Sequence, residues 1–185
     1  SQFLTTAAPI TTSEITLPAL PDGGLHIFED SLYVGDDVDA NAAATGKRIP
    51  QEGEGTKLTI AAGNTLVFRR PDTYVRIARG SQIYAEGTAD APIVFTADED
   101  AVLGVATESD RGLWGGIQIN GNGRTNKCSD GTPTGPIPGQ DDFAATVNNV
   151  HNCHVTAEGR PATYGGNNKA ESSGLLTYVG IQHAG

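Results

Sequence analysis

The sequence contains no methionine, a single tryptophan and only two cysteines in 185 residues. Without an initiator methionine, the chain reads as processed, trimmed or incompletely represented. Nothing at its start couples a charged segment to an apolar one, so any signal peptide is already gone. Basic residues are scarce: 12 Lys and Arg stand against 22 Asp and Glu, a net charge of −10. That balance disfavours nucleic acid and anionic membranes as main partners, since both are polyanions. No apolar run approaches the roughly 18–20 residues that a membrane-spanning helix needs. Long helix-forming runs are missing as well, while Gly 24 and Pro 10 interrupt the chain at short intervals. This combination argues against a helical bundle and for an all-β fold of short strands joined by turns. The length suits one domain, able to bury roughly 70% of its unfolded surface.

Residues 1–20 are rich in Thr and β-branched side chains, and Pro9 and Pro18 interrupt them. They cannot form a long helix. They are expected to form an extended N-terminal arm, whose apolar residues Phe3, Leu4, Ile10, Ile15 and Leu17 would add as a strand to a neighbouring copy. The plainer reading makes them a first strand of the domain itself. Residues 21–185 then form the domain proper, with loop insertions at 36–55 and 124–163. Charge divides unevenly along it: residues 1–55 carry nine acids and two bases, whereas 56–96 carry five bases and three acids.

That central block is also the most regular. Leu58-Thr59-Ile60-Ala61-Ala62-Gly63-Asn64-Thr65-Leu66 overlays Val75-Arg76-Ile77-Ala78-Arg79-Gly80-Ser81-Gln82-Ile83 at an offset of 17 residues. Alternation sends Leu58 and Ile60 inward together, and Val75 and Ile77 likewise. Gly63 and Gly80 then sit at equivalent corners, where φ turns positive. Self-similarity at this spacing marks a solenoid whose coils stack. Further strand–turn units follow at 91–96, 113–123 and 175–183, and Phe143, Val147 and Val150 have the spacing of a short helix.

Three motifs resemble a family of secreted bacterial right-handed parallel β-helix proteins. They are Ile77-Ala78-Arg79-Gly80-Ser81-Gln82-Ile83 running on to Ala91-Pro92-Ile93-Val94-Phe95-Thr96, then Gly112-Leu113-Trp114-Gly115-Gly116-Ile117-Gln118-Ile119-Asn120-Gly121-Asn122, then Tyr164-Gly165-Gly166-Asn167-Asn168 with Ser172-Ser173-Gly174-Leu175-Leu176-Thr177-Tyr178-Val179-Gly180-Ile181. The resemblance covers roughly residues 56–185. It implies a right-handed parallel β-helix with long loops, a secreted or cell-surface location and, in longer members, further coils after the third motif. It brings no catalytic residues.

The chemistry-bearing residues are weighed individually. Cys128 and Cys153 suit a disulfide that closes a loop of about 25 residues, worth roughly 3–4 kcal/mol in the chain-entropy model. Two free thiols, or a metal site with His151 and His154, are the competing readings. A disulfide places the protein outside the cytoplasm. Asp37-Val38-Asp39-Ala40-Asn41 begins like a calcium loop, but Ala42 replaces the required Gly and Arg48 the bidentate Glu. A looser calcium site at Asp36, Asp37, Asp39 and Asn41 is weighed against a solvated acidic loop, and calcium is the single cofactor candidate. Asp98-Glu99-Asp100 and Asp141-Asp142 read as surface acids. Arg69, Arg70, Arg76 and Arg79 form a basic group, of which Arg76 and Arg79 lie in the repeating segments. No spaced carboxylate pair, Ser/His/Asp set or phosphate loop appears. The expected function is therefore a non-catalytic extracellular structural protein forming a homo-oligomer or homopolymer. The alternatives are a module that binds or processes an extracellular glycan, and a fragment of a larger adhesin.

Overall fold

The structure is a computed structural model, and the residues it describes are 1–4, 8–36, 50–123, 155–160, 162–166, 168 and 170–185. Short alternating segments follow one another as the sides of a triangular coil. The first coil consists of β1 (Gln2–Leu4), a bridge at Ile10, and β2 (Glu14–Leu17). The second consists of β3 (Leu25–Phe28), β4 (Leu32–Val34) and β5 (Lys57–Ile60), and the third of β6 (Thr65–Phe68), β7 (Val75–Ile77) and β8 (Gln82–Glu86). In the fourth, β9 (Ile93–Ala97) runs into a one-turn helix, α1 (Asp98–Ala101), before β10 (Ile117–Ile119). A small antiparallel hairpin, β11 (Val155–Thr156) with β12 (Thr163–Tyr164), comes next, and β13 (Gly174–Thr177) closes the coil. A fifth coil begins with β14 (Val179–Ile181). Corresponding sides pair in parallel, giving three sheets in the orders β1-β3-β6-β9-β14, β4-β7-β10 and β2-β5-β8-β13. This is a parallel β-helix, as the resemblance implies.

Parallel pairing in register stacks like positions into columns. In the first sheet, Leu4, Phe28, Phe68 and Ala97 form one inward column. Phe28 and Phe68 stack with ring centroids 5.0 Å apart. The next position is Ala97, and the ring above Phe68 is supplied by Trp114 instead, with a centroid distance of 4.5 Å and a 9° interplanar angle. Trp114 is fully buried, and its indole N–H donates to the Gln182 carbonyl at 2.7 Å. Trp114 is thus part of the axial core. Two further columns are aliphatic, Leu17–Ile60–Ala85–Leu176 and Ile10–Val34–Ile77–Ile119, while His26–Leu66–Phe95–Ile181 is mixed. Asn64 reinforces one corner by donating to the Leu17 carbonyl of the coil before, at 3.0 Å.

Two expectations are corrected. Residues 1–20 are not a projecting arm in this chain: β1, Ile10 and β2 pair with β3, β4 and β5 and form the first coil. β-branched residues find their partners on the edges of the next coil, which no local pattern reveals. The repeat is also out of phase. Leu58 pairs with Ile83, not with Val75, its counterpart in the overlay. Gly63 and Gly80 do have φ of 78° and 76°, but Gly63 turns the chain from third sheet to first and Gly80 from second to third. Each corner of the triangle needs the same chemistry, so similarity appears at less than one full coil. At Gly80 a Cβ would come within 2.6 Å of the Pro50 side chain, so space as well as φ restricts that corner.

The stacked rings give a direct stability test. Phe68→Ala opens a cavity beneath Trp114 and is expected to cost about 3–5 kcal/mol. Since Trp114 is the sole tryptophan, its fluorescence reports the thermal transition; an unchanged midpoint would contradict the stack's role in the core.

Candidate functional site

Three parts of the surface carry more chemistry than a solenoid wall needs. The first covers the outside of the second sheet. There Tyr33, Arg76 and Gln118 form an outward column. Arg76 is almost fully buried, and its guanidinium donates to Gln118 Oε1 at 2.5 Å, to the Arg160 carbonyl at 2.6 Å and to the Glu158 carbonyl. It lies 5.1 Å from the Tyr74 ring centroid and 5.8 Å from that of Tyr33. Arg79 is likewise buried and donates to the Gly165 carbonyl at 3.2 Å and to Thr163 Oγ1. The Arg160 backbone N–H donates to the Tyr74 hydroxyl at 2.9 Å. Burial is the main cause that raises the Tyr74 phenol above its ordinary pKa, and the Tyr33 hydroxyl adds to it. The two arginines of the repeat thus clamp the β11–β12 hairpin onto the third coil. Arg69 and Arg70 behave differently: Arg69 bridges Glu29 at 2.6 Å and Asp98 at 3.3 Å, and Arg70 bridges Asp30 at 3.0 Å. The bond to Glu29 is the first cause that raises Arg69, and the bond to Asp30 the first that raises Arg70. The pairs with Glu29 and Asp30 are solvent-exposed and staple neighbouring turns at small net gain.

The second part is the end of the helix at the fifth coil. Ile119, Leu176 and Ile181 occupy core-facing columns, yet they are 42%, 39% and 49% exposed. β14, β10 and β13 are the outermost strands of their sheets there, and each offers a parallel edge without a neighbour among the described residues. The opposite end is better covered. Leu17 is buried, and Leu4, Ile10 and Ile15 are half-buried against the second coil, while Phe3 is 60% exposed on the outer face. The five residues expected to mediate assembly are therefore brought to one end of the solenoid, with their strands already paired on one side. Alternation alone could not have found the open end, because it depends on which coil is last.

The third part is a cavity of about 630 Å³ between 106–111 and 181–184, at the same end. It contains Asp100, Glu108, Arg111 and His183. Asp98-Glu99-Asp100 form the first turn of α1, and Asp98 is buried. Asp110 caps a tight turn: its carboxylate accepts from the Thr107 backbone N–H at 2.7 Å and hydroxyl at 2.9 Å. Those Thr107 bonds, backbone first, hold the Asp110 carboxyl below its ordinary pKa. A depressed carboxylate contributes its stabilisation above the unfolded pKa and loses it as pH falls through the lower folded value. His183 sits at φ 57°, a strained setting for a non-glycine residue.

Among the described residues no group of three His, Cys, Asp or Glu side chains is disposed to hold a metal ion. Of the expected calcium residues, Asp36 is exposed after β4, while Asp37, Asp39 and Asn41 lie outside the described residues. Cys128 and Cys153 lie outside them too, as do Asp141, Asp142 and the expected helix around Val147.

The clamp predicts a local effect. Arg76→Met leaves two carbonyls and Gln118 without their donor and is expected to cost about 2–3 kcal/mol. Hydrogen exchange should accelerate at 155–164 ahead of the coils; uniform exchange across the molecule would show that the guanidinium does not hold the hairpin.

No curated protein and no solved structure matches this chain. A family model does, across residues 43–185, which takes in the second coil's third strand and everything after it. With its parallel coils and that match together, the chain belongs to the pectate-lyase-like β-helix domain family.

Proposed function

We propose that this protein is a non-catalytic structural β-helix of the bacterial cell exterior, secreted or held at the surface, which associates end to end with copies of itself. The observation that carries the reading is the exposure of Ile119, Leu176 and Ile181 in columns that are buried through the second and third coils. Burying each of them fully would be worth up to about 1.5–3 kcal/mol, less for the part already covered. Each parallel sheet has two unlike edges, so a second copy offers at its first coil the edge that the fifth coil needs. β14 already fills the first side of the fifth coil, so a second copy lays Ile10 over Ile119 and Leu17 over Leu176 only with its own β1 displaced. Such a contact joins unlike surfaces and does not close on itself, which leads to a filament rather than a dimer. The net charge of −10 opposes it, and salt screens that repulsion.

The family description favours a second reading, a module that binds or processes carbohydrate. A glycan array discriminates it from the first. Residues beyond 185, in a longer native chain, would cover the same three side chains with further coils, and intact mass of the native protein separates that case.

The deciding experiment is negative-stain microscopy with light scattering at low and high salt, with and without calcium chelator. Regular fibres that lengthen with ionic strength are expected. Leu176→Asp, at a side chain already partly in solvent, should weaken association at least about tenfold, the equivalent of 1.4 kcal/mol, while leaving the fold intact. Small particles under every condition would overturn the proposal. Fibres lost on chelation would bring calcium in as a structural component.

A further inference from the structure

The outside of the second sheet brings two phenols from different coils together. Tyr33 lies on β4 of the second coil, and Tyr74 stands one residue before β7 of the third. Their ring centroids are 5.6 Å apart, with the planes at 83°. The Tyr74 backbone N–H donates to the Ser31 hydroxyl at 3.1 Å, and the Tyr74 hydroxyl accepts from the Arg160 N–H at 2.9 Å. Arg76 lies 5.8 Å from the Tyr33 centroid and 5.1 Å from that of Tyr74, and Arg160 lies 5.2 Å from the Tyr33 centroid. The two hydroxyls also interact, since that of Tyr33 helps to raise the Tyr74 phenol. Neighbouring phenol oxygens bring the ring carbons beside them, the Cε atoms, close as well. Both side chains are only half-buried, so a small oxidant reaches them. Few groups compete for it: the sequence has no methionine, and its one tryptophan is fully buried.

We propose that Tyr33 and Tyr74 are a site of oxidative modification, where a peroxide couples them into a dityrosine that ties the second coil to the third. Each phenol gives one electron to the oxidant and its O–H proton to solvent. The resulting phenoxyl radicals carry spin on the carbons beside the oxygen, and two of these, one Cε from each ring, form a carbon–carbon bond. The hydrogen on each bonded carbon then moves to its oxygen, which restores both aromatic rings and both hydroxyls. The peroxide O–O bond takes up the two electrons and breaks, giving two waters from hydrogen peroxide with the two protons, or two sulfates from persulfate. Joined phenols form a twisted biaryl, so ring planes far from parallel are a suitable starting point, and a small rotation of each side chain closes the remaining distance. Holding the partners side by side makes the coupling intramolecular and favours it over chance encounters between molecules. The product closes the chain between two coils and so restricts the unfolded state.

The probe is persulfate with a ruthenium tris-bipyridine sensitiser under visible light, applied to the dilute folded protein. Dityrosine fluorescence should appear in a species that still runs as a monomer on a denaturing gel. Its mass should be lower by two hydrogens, and peptide mapping should join the segments that contain Tyr33 and Tyr74. Tyr33→Phe and Tyr74→Phe keep the rings but remove one phenol, and each should lower the monomer's dityrosine signal at least about tenfold. Tyr178, at 64% exposed, is the control: Tyr178→Phe should leave the monomer signal intact and remove only covalent dimers. Unfolding in urea before illumination should also lower the monomer cross-link about tenfold, because proximity is lost. The coupled monomer should melt at a higher temperature than the parent, read by Trp114 fluorescence. The proposal is overturned if the folded monomer gains no cross-link, if the cross-link survives Tyr33→Phe or urea undiminished, or if coupling lowers the melting temperature.

Discussion

Register between parallel strands is the constraint on which this molecule depends. A slip of one residue would turn every inward side chain to the outside. With register kept, the interior becomes a few columns that run along the axis, and each coil inherits the packing problem left by the coil before. The aromatic column shows how strict this is. Phe28 and Phe68 fill two successive levels, and the third level is solved by a small residue at Ala97 and a ring delivered from elsewhere, Trp114. The 98–116 excursion between β9 and β10 is thus tied to the core by a side chain that replaces a strand residue. Its departure from the repeat is compensated at the point where it rejoins the coil.

The same logic separates what was legible in the sequence from what was not. Inward alternation at Leu58 and Ile60, and at Val75 and Ile77, could be read directly, because strand geometry is local. So could the positive φ of Gly63 and Gly80. The phase of the repeat could not, because all three corners of a coil use similar residues. The role of residues 1–20 was hidden for another reason: Thr-rich, β-branched sequence specifies an extended strand but not its partner. Arg76 and Arg79 were visible only as basic residues in a repeat. Their partners lie 82 to 86 positions further along, and a buried arginine that bonds carbonyls leaves no pattern of opposite charge to find. The cavity follows the same rule, since His183 and Asp110 meet across 73 positions.

Polar and titratable side chains gather where the repeat is broken. The walls of the second and third coils are largely occupied by their own packing. The excursion after β9 brings Asp100, Glu108 and Arg111 to one end of the solenoid, where they meet His183 from the turn after β14. That end also has strand edges without a neighbour among the described residues, and the half-exposed core columns. Ile181 belongs both to an open column and to the cavity wall.

The clamped hairpin has a mechanical meaning as well. Chain that follows β10 in sequence is fastened by Arg76 and Arg79 to the coil before it, so the fourth coil is held to the third by side chains in addition to its ladders of backbone bonds. A pull on the C-terminus would peel β14 and then β13 strand by strand, each yielding at low force. The load would next arrive at two buried guanidiniums that must give up several carbonyls together. Solenoids ordinarily unravel one neighbour at a time; here the second sheet carries a bolt partway along, and the coils behind it are sheltered from tension applied at the open end.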